Sequence, residues 1–167
     1  MFNEIDITKE QFNPFEKIGK QWFLVTAGSE EKVNTMTASW GFMGVMWNKN
    51  TAVTVIRPQR FTKKLVDENE YFSLSFLPEE YRSSLKYCGA NSGYNVEDKV
   101  AQSGLTTVML DGVPAFEEAE TVLICKKLFC QQIEADAFVD KSLCDANYAS
   151  GDFHYAYIGE IVKAYKK

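Results

Sequence analysis

Residues 34–50, NTMTASWGFMGVMWNKN, alternate small hydroxyl side chains with apolar ones and then run into Trp40 and Trp47. Successive side chains of a strand face opposite ways, so Thr35, Thr37 and Ser39 share one face while Met36, Ala38 and Trp40 share the other. Threonine is a common strand residue, so the hydroxyl row reads either as the solvated side of a half-exposed sheet or as the lining of a ligand site.

Working outward from this stretch, KQWFLVTAG (20–28) is a strand rich in aromatic and branched residues, closed by Gly28-Ser29. The polar turn SEEKVN joins it to the opening stretch, so residues 20–41 predict two antiparallel strands. TAVTVIR (51–57) predicts a third strand, dense in β-branched residues. FTKKLVDENE predicts a short helix capped by Thr62, and YFSLSFL (71–77) places Phe72, Leu74 and Phe76 on one face of a strand. Pro78 opens a helix that runs to Gly89, and Asn95 caps a second one that ends near Gly104. Asp111-Gly112 marks a tight hairpin whose second arm, containing Pro114, belongs at an edge or a bulge. The pattern from Ala119 to Asp140 is strand-like, and FHYAYIGEIVKAY supplies a last strand broken by Gly159. Many short strands with two or three inserted helices predict a mainly β barrel or sandwich rather than alternating βαβ units.

The chain has 167 residues with 46% apolar types, which suffices for one domain with a real core, and no linker or repeat divides it. A single domain spanning residues 1–167 is expected. A net charge of −5 argues against a general nucleic-acid binder, which needs a broad basic surface to displace counterions. No apolar run approaches the roughly 20 residues that span a bilayer, and MFNEIDITKEQF lacks the features of a signal peptide; a cytoplasmic protein is expected. Cys88, Cys125, Cys130 and Cys144 form no CxxC pair and are read as reduced, mostly structural thiols.

Against this acidic background, Arg57, Arg60, Lys63 and Lys64 follow the third strand with no acid among them. Cations at a helix amino terminus oppose its dipole, so the segment is either a solvated charge run or the seat of an anion. A phosphate monoester suits the second reading: arginine offers a fork of donors, the Thr62 hydroxyl can donate, and the first helical N–H groups point outward. A phosphate at one end and a row of hydroxyls, amides and nearby tryptophans at the other describe a flat aromatic ligand with a phosphorylated tail, such as FMN.

NTMTASWG followed by VTVIRPQRFTKKLVDENEYFSLSFL resembles the flavin reductase-like family of FMN-binding split-barrel proteins, which includes flavoredoxin-type proteins. SGYNVEDKV, DGVPAFEEAETVLICKK and DFHYAYIGEIV extend the resemblance over nearly the whole chain. It implies a Greek-key split β-barrel that forms a homodimer, with FMN near the subunit interface. By the same resemblance Met36, Thr37, Ala38, Ser39 and Trp40 would hold the ring and ribityl chain, and Arg57, Arg60, Thr62 and Lys63 would surround the phosphate. Cys88, Gly89, Ser92 and Gly93 fall in a loop that approaches the cofactor in relatives, and His154 matches a histidine that lies beside the flavin and nicotinamide rings in several of them.

His154 is the only histidine, which leaves no imidazole pair for a zinc site, and no metal is expected. By itself it reads as a packed residue; the resemblance offers the catalytic alternative. Cys88 has no reactive-thiol motif around it. Neither GxGxxG nor GxxxxGK[ST] occurs, so NADH or NADPH, if used, would bind against the flavin itself. The expected function is hydride transfer from NAD(P)H to bound FMN, with electrons passed to a free flavin or an acceptor protein. The alternatives are an FMN-binding electron carrier without nicotinamide turnover, and a barrel that has lost its cofactor.

Overall fold

In the computed structural model, which describes residues 1–11 and 13–167, the chain builds ten strands and four α-helices. These are β1 (Asn3–Ile5), β2 (Phe23–Ser29), β3 (Lys32–Ala38), β4 (Gly41–Met46), β5 (Lys49–Ile56), β6 (Tyr71–Phe76), β7 (Thr107–Leu110), β8 (Val113–Phe116), β9 (Thr121–Gln132) and β10 (Tyr155–Lys166). The helices are α1 (Phe61–Glu68), α2 (Arg82–Ala90), α3 (Lys99–Gln102) and α4 (Lys141–Asn147). The main sheet has the order β3-β2-β6-β9-β10-β5-β4, with every neighbouring pair antiparallel and β1 added beside β10. It coils until β3 lies against β5, giving the mainly β split barrel of Greek-key type that the sequence predicts. No helix among the described residues is long and apolar enough to cross a membrane.

Two cores follow from strand alternation. Phe23, Val25, Met36, Ala38, Ile56, Phe72, Leu74, Phe76 and Tyr157 fill the barrel interior. Leu24, Leu85, Phe116, Val122 and Ile124 face a second layer made by α2 and the β7–β8 hairpin. Residues Phe23–Ala27 of β2 and Thr121–Cys125 of β9 are therefore buried on both faces, each large apolar side chain contributing about 1.5–3 kcal/mol. Cys88 and Cys125 are buried in these cores, Cys130 is exposed, and all four cysteines are free thiols.

One strand was not anticipated and four local expectations need correction. The stretch after residue 40, given no element from sequence, is strand β4, turned into β5 by Trp47 and Asn48, both at positive φ (53° and 57°). Two glycines hid it. At Gly41 a Cβ would stand 2.2 Å from the Val53 carbonyl oxygen, so the residue is fixed by backbone contact rather than by side-chain pattern. Thr62 does not cap α1: Arg60 occupies the cap position without a side-chain bond, and the buried Thr62 hydroxyl donates to Asn34 Oδ1 at 3.1 Å. Asn95 caps no helix either, since α3 starts after Asp98 in a left-handed conformation (φ 49°). β10 is not broken at Gly159 but bulged there, where a Cβ would meet Cys125 and Phe72 at 2.9 Å. Finally, the strand-like pattern beyond residue 132 is an excursion containing a short 3-10 turn (Ala135–Ala137) and α4.

Candidate functional site

The carboxyl end of β3 and the link to β4 form the floor of a cleft. Ala38 is the last β3 residue paired with β2, so Ser39 and Trp40 lie outside both flanking ladders. On one side a recess of about 190 Å³ is lined by Met36–Trp40, Val55, Arg57 and His154. On the other, about 310 Å³ is enclosed by Thr37–Ser39, Trp22, Leu85, Lys86 and Gly89. The five strand residues expected at the site, with Arg57, His154 and Gly89, thus share one cleft.

The hydroxyl row proves neither solvated nor wholly available. Thr35 is buried, its Oγ1 donating to the Val25 carbonyl at 3.1 Å and lying 2.9 Å from Thr26 Oγ1. Behind it, the buried Lys99 ammonium donates to the Thr35 carbonyl at 2.6 Å, and burial lowers the Lys99 pKa to about 8. Thr37 donates to the Leu85 carbonyl at 2.5 Å and ties the strand to α2. Ser39 alone of the three has no hydrogen-bond partner among the described residues. Trp40 is 46% exposed and offers a flat apolar surface, its ring 5.3 Å from the imidazole of His154.

His154 is nearly buried at the start of β10, with Nδ1 2.8 Å from the Tyr148 hydroxyl. Desolvation, followed by the nearby Arg57 charge, lowers its pKa to about 4 against a smaller opposite pull from Asp152. It is therefore neutral near pH 7. Arg57 itself is engaged: one guanidinium nitrogen donates to Asp152 Oδ2 and another to the Asn147 carbonyl at 3.1 Å.

The other cations of the segment are taken up by protein partners. Arg60 donates to the carbonyls of Gly89, Cys88 and Asn91 at 2.7, 2.8 and 3.4 Å, closing the carboxyl end of α2. Lys63 pairs with Asp67 at 2.7 Å and lies over the Tyr155 ring at 3.9 Å, while Lys64 faces Glu68 at 3.9 Å. The acids that balance the two lysines stand one helical turn downstream, outside the window in which the charges look unpaired. Cys88 points into the second core, where burial pushes its thiol pKa up. Gly93 packs against Asn34 and Phe61 in a separate cleft, and Ser92 precedes it in the same loop, so neither joins Gly89.

Sequence reasoning missed Lys86, Trp22 and Tyr148. Lys86 lines the larger recess and makes no hydrogen bond or ion pair among the described residues. A lysine in a short helix carries no signal of this. Trp22, at positive φ (67°) and under the Arg82 guanidinium, walls the same recess.

A barrel of this topology with a cleft over the end of its third strand defines a class of flavin-associated split barrels, and residues 15–166 match the flavin reductase like domain. The chain belongs to the flavin reductase-like family. Among solved structures it is similar to the FMN-binding domain of a flavin reductases-like enzyme from Shewanella baltica OS155 (TM-score 0.72, 15% identity, covering 99% of this chain and 77% of that one). It is also similar to flavoredoxin from Methanosarcina acetivorans (TM-score 0.67, 21% identity, 99% and 76%). A third likeness is to an NADH:FAD oxidoreductase from Streptomyces globisporus C-1027 (TM-score 0.64, 16% identity, 88% and 74%). No curated protein matches the sequence.

Proposed function

We propose that this protein is an FMN-binding oxidoreductase that takes a hydride from NADH or NADPH onto bound FMN and passes the electrons to a free flavin or an acceptor protein. The observation that carries the reading is the cleft on both sides of residues 37–39, in a chain of the flavin reductase-like family. Its donor set fits the ligand. Ser39 and the backbone of residues 39–40 lie outside the ladders, Trp40 supplies apolar surface, and the free Lys86 ammonium supplies a cation for a phosphate.

In this reading Met36, Thr37, Ala38, Ser39 and Trp40 hold the ring and ribityl chain. Lys86 and Gly89 border the phosphate, and Arg57 joins them only by exchanging Asp152 for it. Arg60, Thr62 and Lys63 shape the wall without touching the ligand, and Cys88, Ser92 and Gly93 stay outside. FMN, when bound, supplies the redox chemistry, accepting a hydride and releasing electrons. The chain's own residues orient the ring, exclude water from one face and aim N–H and O–H donors at an edge where negative charge builds up.

A homodimer belongs to the same proposal. β4 ends the sheet order and leaves Phe42, Val45, Met46 and Trp47 exposed, with Pro14, Phe15, Trp40 and Phe42 lining an apolar recess of about 440 Å³ next to Ser39. A second copy laid on this edge would cover that surface and wall the open side of the cleft.

The likeness to flavoredoxin supports a second reading, an electron carrier with the same site and no nicotinamide turnover. Anaerobic mixing of the FMN-loaded protein with NADH or NADPH separates them. Bleaching of the flavin band is the expected result. A band that dithionite bleaches and nicotinamides do not makes the protein a carrier, and a chain that takes up no FMN ends both readings.

A further inference from the structure

Between β9 and β10 the chain leaves the barrel, and the excursion returns to it at His154, which lines the smaller recess of the cleft. Its centre is Tyr148. The ring stacks on Phe153 (centroids 4.7 Å apart, planes 20° apart), meets Phe138 at 5.9 Å and lies under the Arg57 guanidinium at 5.4 Å. Arg57 in turn holds the chain on either side of Tyr148, through the Asn147 carbonyl and the Asp152 carboxylate. The phenol is thus fixed in orientation, and its only hydrogen-bond partner among the described residues is His154 Nδ1 at 2.8 Å.

That geometry decides which imidazole nitrogen carries the proton. A buried phenol keeps its proton and needs an acceptor for it; burial pushes the Tyr148 pKa up, and Nδ1 is the acceptor on hand. Were Nδ1 protonated, it would donate to the phenolic oxygen and leave the buried phenolic proton with no acceptor among the described residues. Nε2 has no protein partner among the described residues, and the imidazole lines the cleft between Arg57 and Trp40.

We propose that Tyr148 is a positioning residue: its hydroxyl donates to His154 Nδ1, fixes the Nε2–H tautomer, and so presents an uncharged N–H donor to an acceptor atom of the flavin ring system. This rests on the reading of the cleft as a flavin site. His154 thereby recognises the ligand by donating a hydrogen bond, and it neither removes a proton nor carries charge. The neighbouring Arg57 cation works the same way, keeping a second proton off the ring.

His154 is the only histidine, so one pair of ring nitrogens reports on the whole question. The test is long-range proton–nitrogen correlation spectroscopy on the full chain labelled with ¹⁵N-histidine, before and after adding FMN. The expected spectrum is a single Nε2–H tautomer at pH 7, whose Nε2–H proton shifts when FMN binds. In Tyr148→Phe, which keeps the ring and loses only the hydroxyl, the two tautomers should mix and the FMN Kd should rise about 3- to 10-fold. An Nδ1–H tautomer in the native protein overturns the proposal even if the variant fails to fold. So does an unmixed Nε2–H tautomer in a folded Tyr148→Phe protein, or an Nε2–H proton that ignores bound FMN. A native Nε2–H tautomer in a chain that takes up no FMN supports the positioning role and removes the flavin site alone.

Discussion

Arg60 and Lys86 both meet helix α2, one bonding its carboxyl end from outside and the other carried on it, and they differ in the donors they have left to offer. Arg60 sits in a run of cations and spends its donors on three carbonyls at the end of α2. Lys86 lines the larger recess, makes no hydrogen bond or ion pair among the described residues, and has only the more distant charge of Glu79 acting on it. Local charge density thus says where cations are, while availability depends on what the fold brings to them. The comparison also separates two kinds of effect, one on the fold and one on the ligand.

The largest expected effect falls on Arg60. Arg60→Ala leaves the carboxyl end of α2 without its clamp in a half-buried place and should lower stability to urea by about 2–3 kcal/mol. FMN and riboflavin affinities should change together in this variant. A selective loss of FMN binding at unchanged stability would return Arg60 to the phosphate. Lys86→Ala should do the opposite: stability within about 0.5 kcal/mol of the parent, FMN binding weaker by about 1–1.5 kcal/mol, and riboflavin binding unaltered. Fluorescence titration with both flavins measures the contrast, and equal responses to the two ligands would remove Lys86 from the site.

The third effect is one of pH. Because burial and Arg57 hold the His154 pKa near 4, below the ordinary value of about 6.5, the unfolded chain binds a proton that the native chain refuses between those values. This contribution is fully present above about pH 6.5 and is lost as pH falls toward 4. The stability advantage of the native protein over His154→Gln should therefore shrink across that window, with Arg57, Asp152 and Tyr148 as the charged and titratable neighbours. Parallel stability curves for the two proteins would show that the imidazole titrates normally.

Much of the barrel was readable in the sequence because its signals are local. The aromatic and branched run of β2, the alternation of β3 and β6 and the Asp111-Gly112 turn each lie within a few residues, and the structure follows them. β4 was unreadable because Gly41 and Gly44 interrupt its pattern and its apolar side chains face outward, where burial gives no period. At the site, residues 36–40 could be placed from the resemblance to the flavin reductase-like family, since alternation alone left the hydroxyl row open between solvent and ligand. The roles around them could not, since Arg60 bonds carbonyls 28 to 31 positions away and His154 depends on Tyr148, in a stretch between two predicted strands to which no element was given. Backbone partners at long range leave no mark in residue type.

The double-sided burial of β2 and β9 bears on how this protein can change. A strand with one wet face can drift at every second position, whereas Phe23–Ala27 and Thr121–Cys125 have no such spare parity, and any replacement there must be accommodated by one core or the other. Sequence variation compatible with the scaffold is pushed outward, to the rim of the cleft and the segment above it. New ligand preferences can arise there without touching the frame, and a mutational library aimed at altered specificity belongs at those positions.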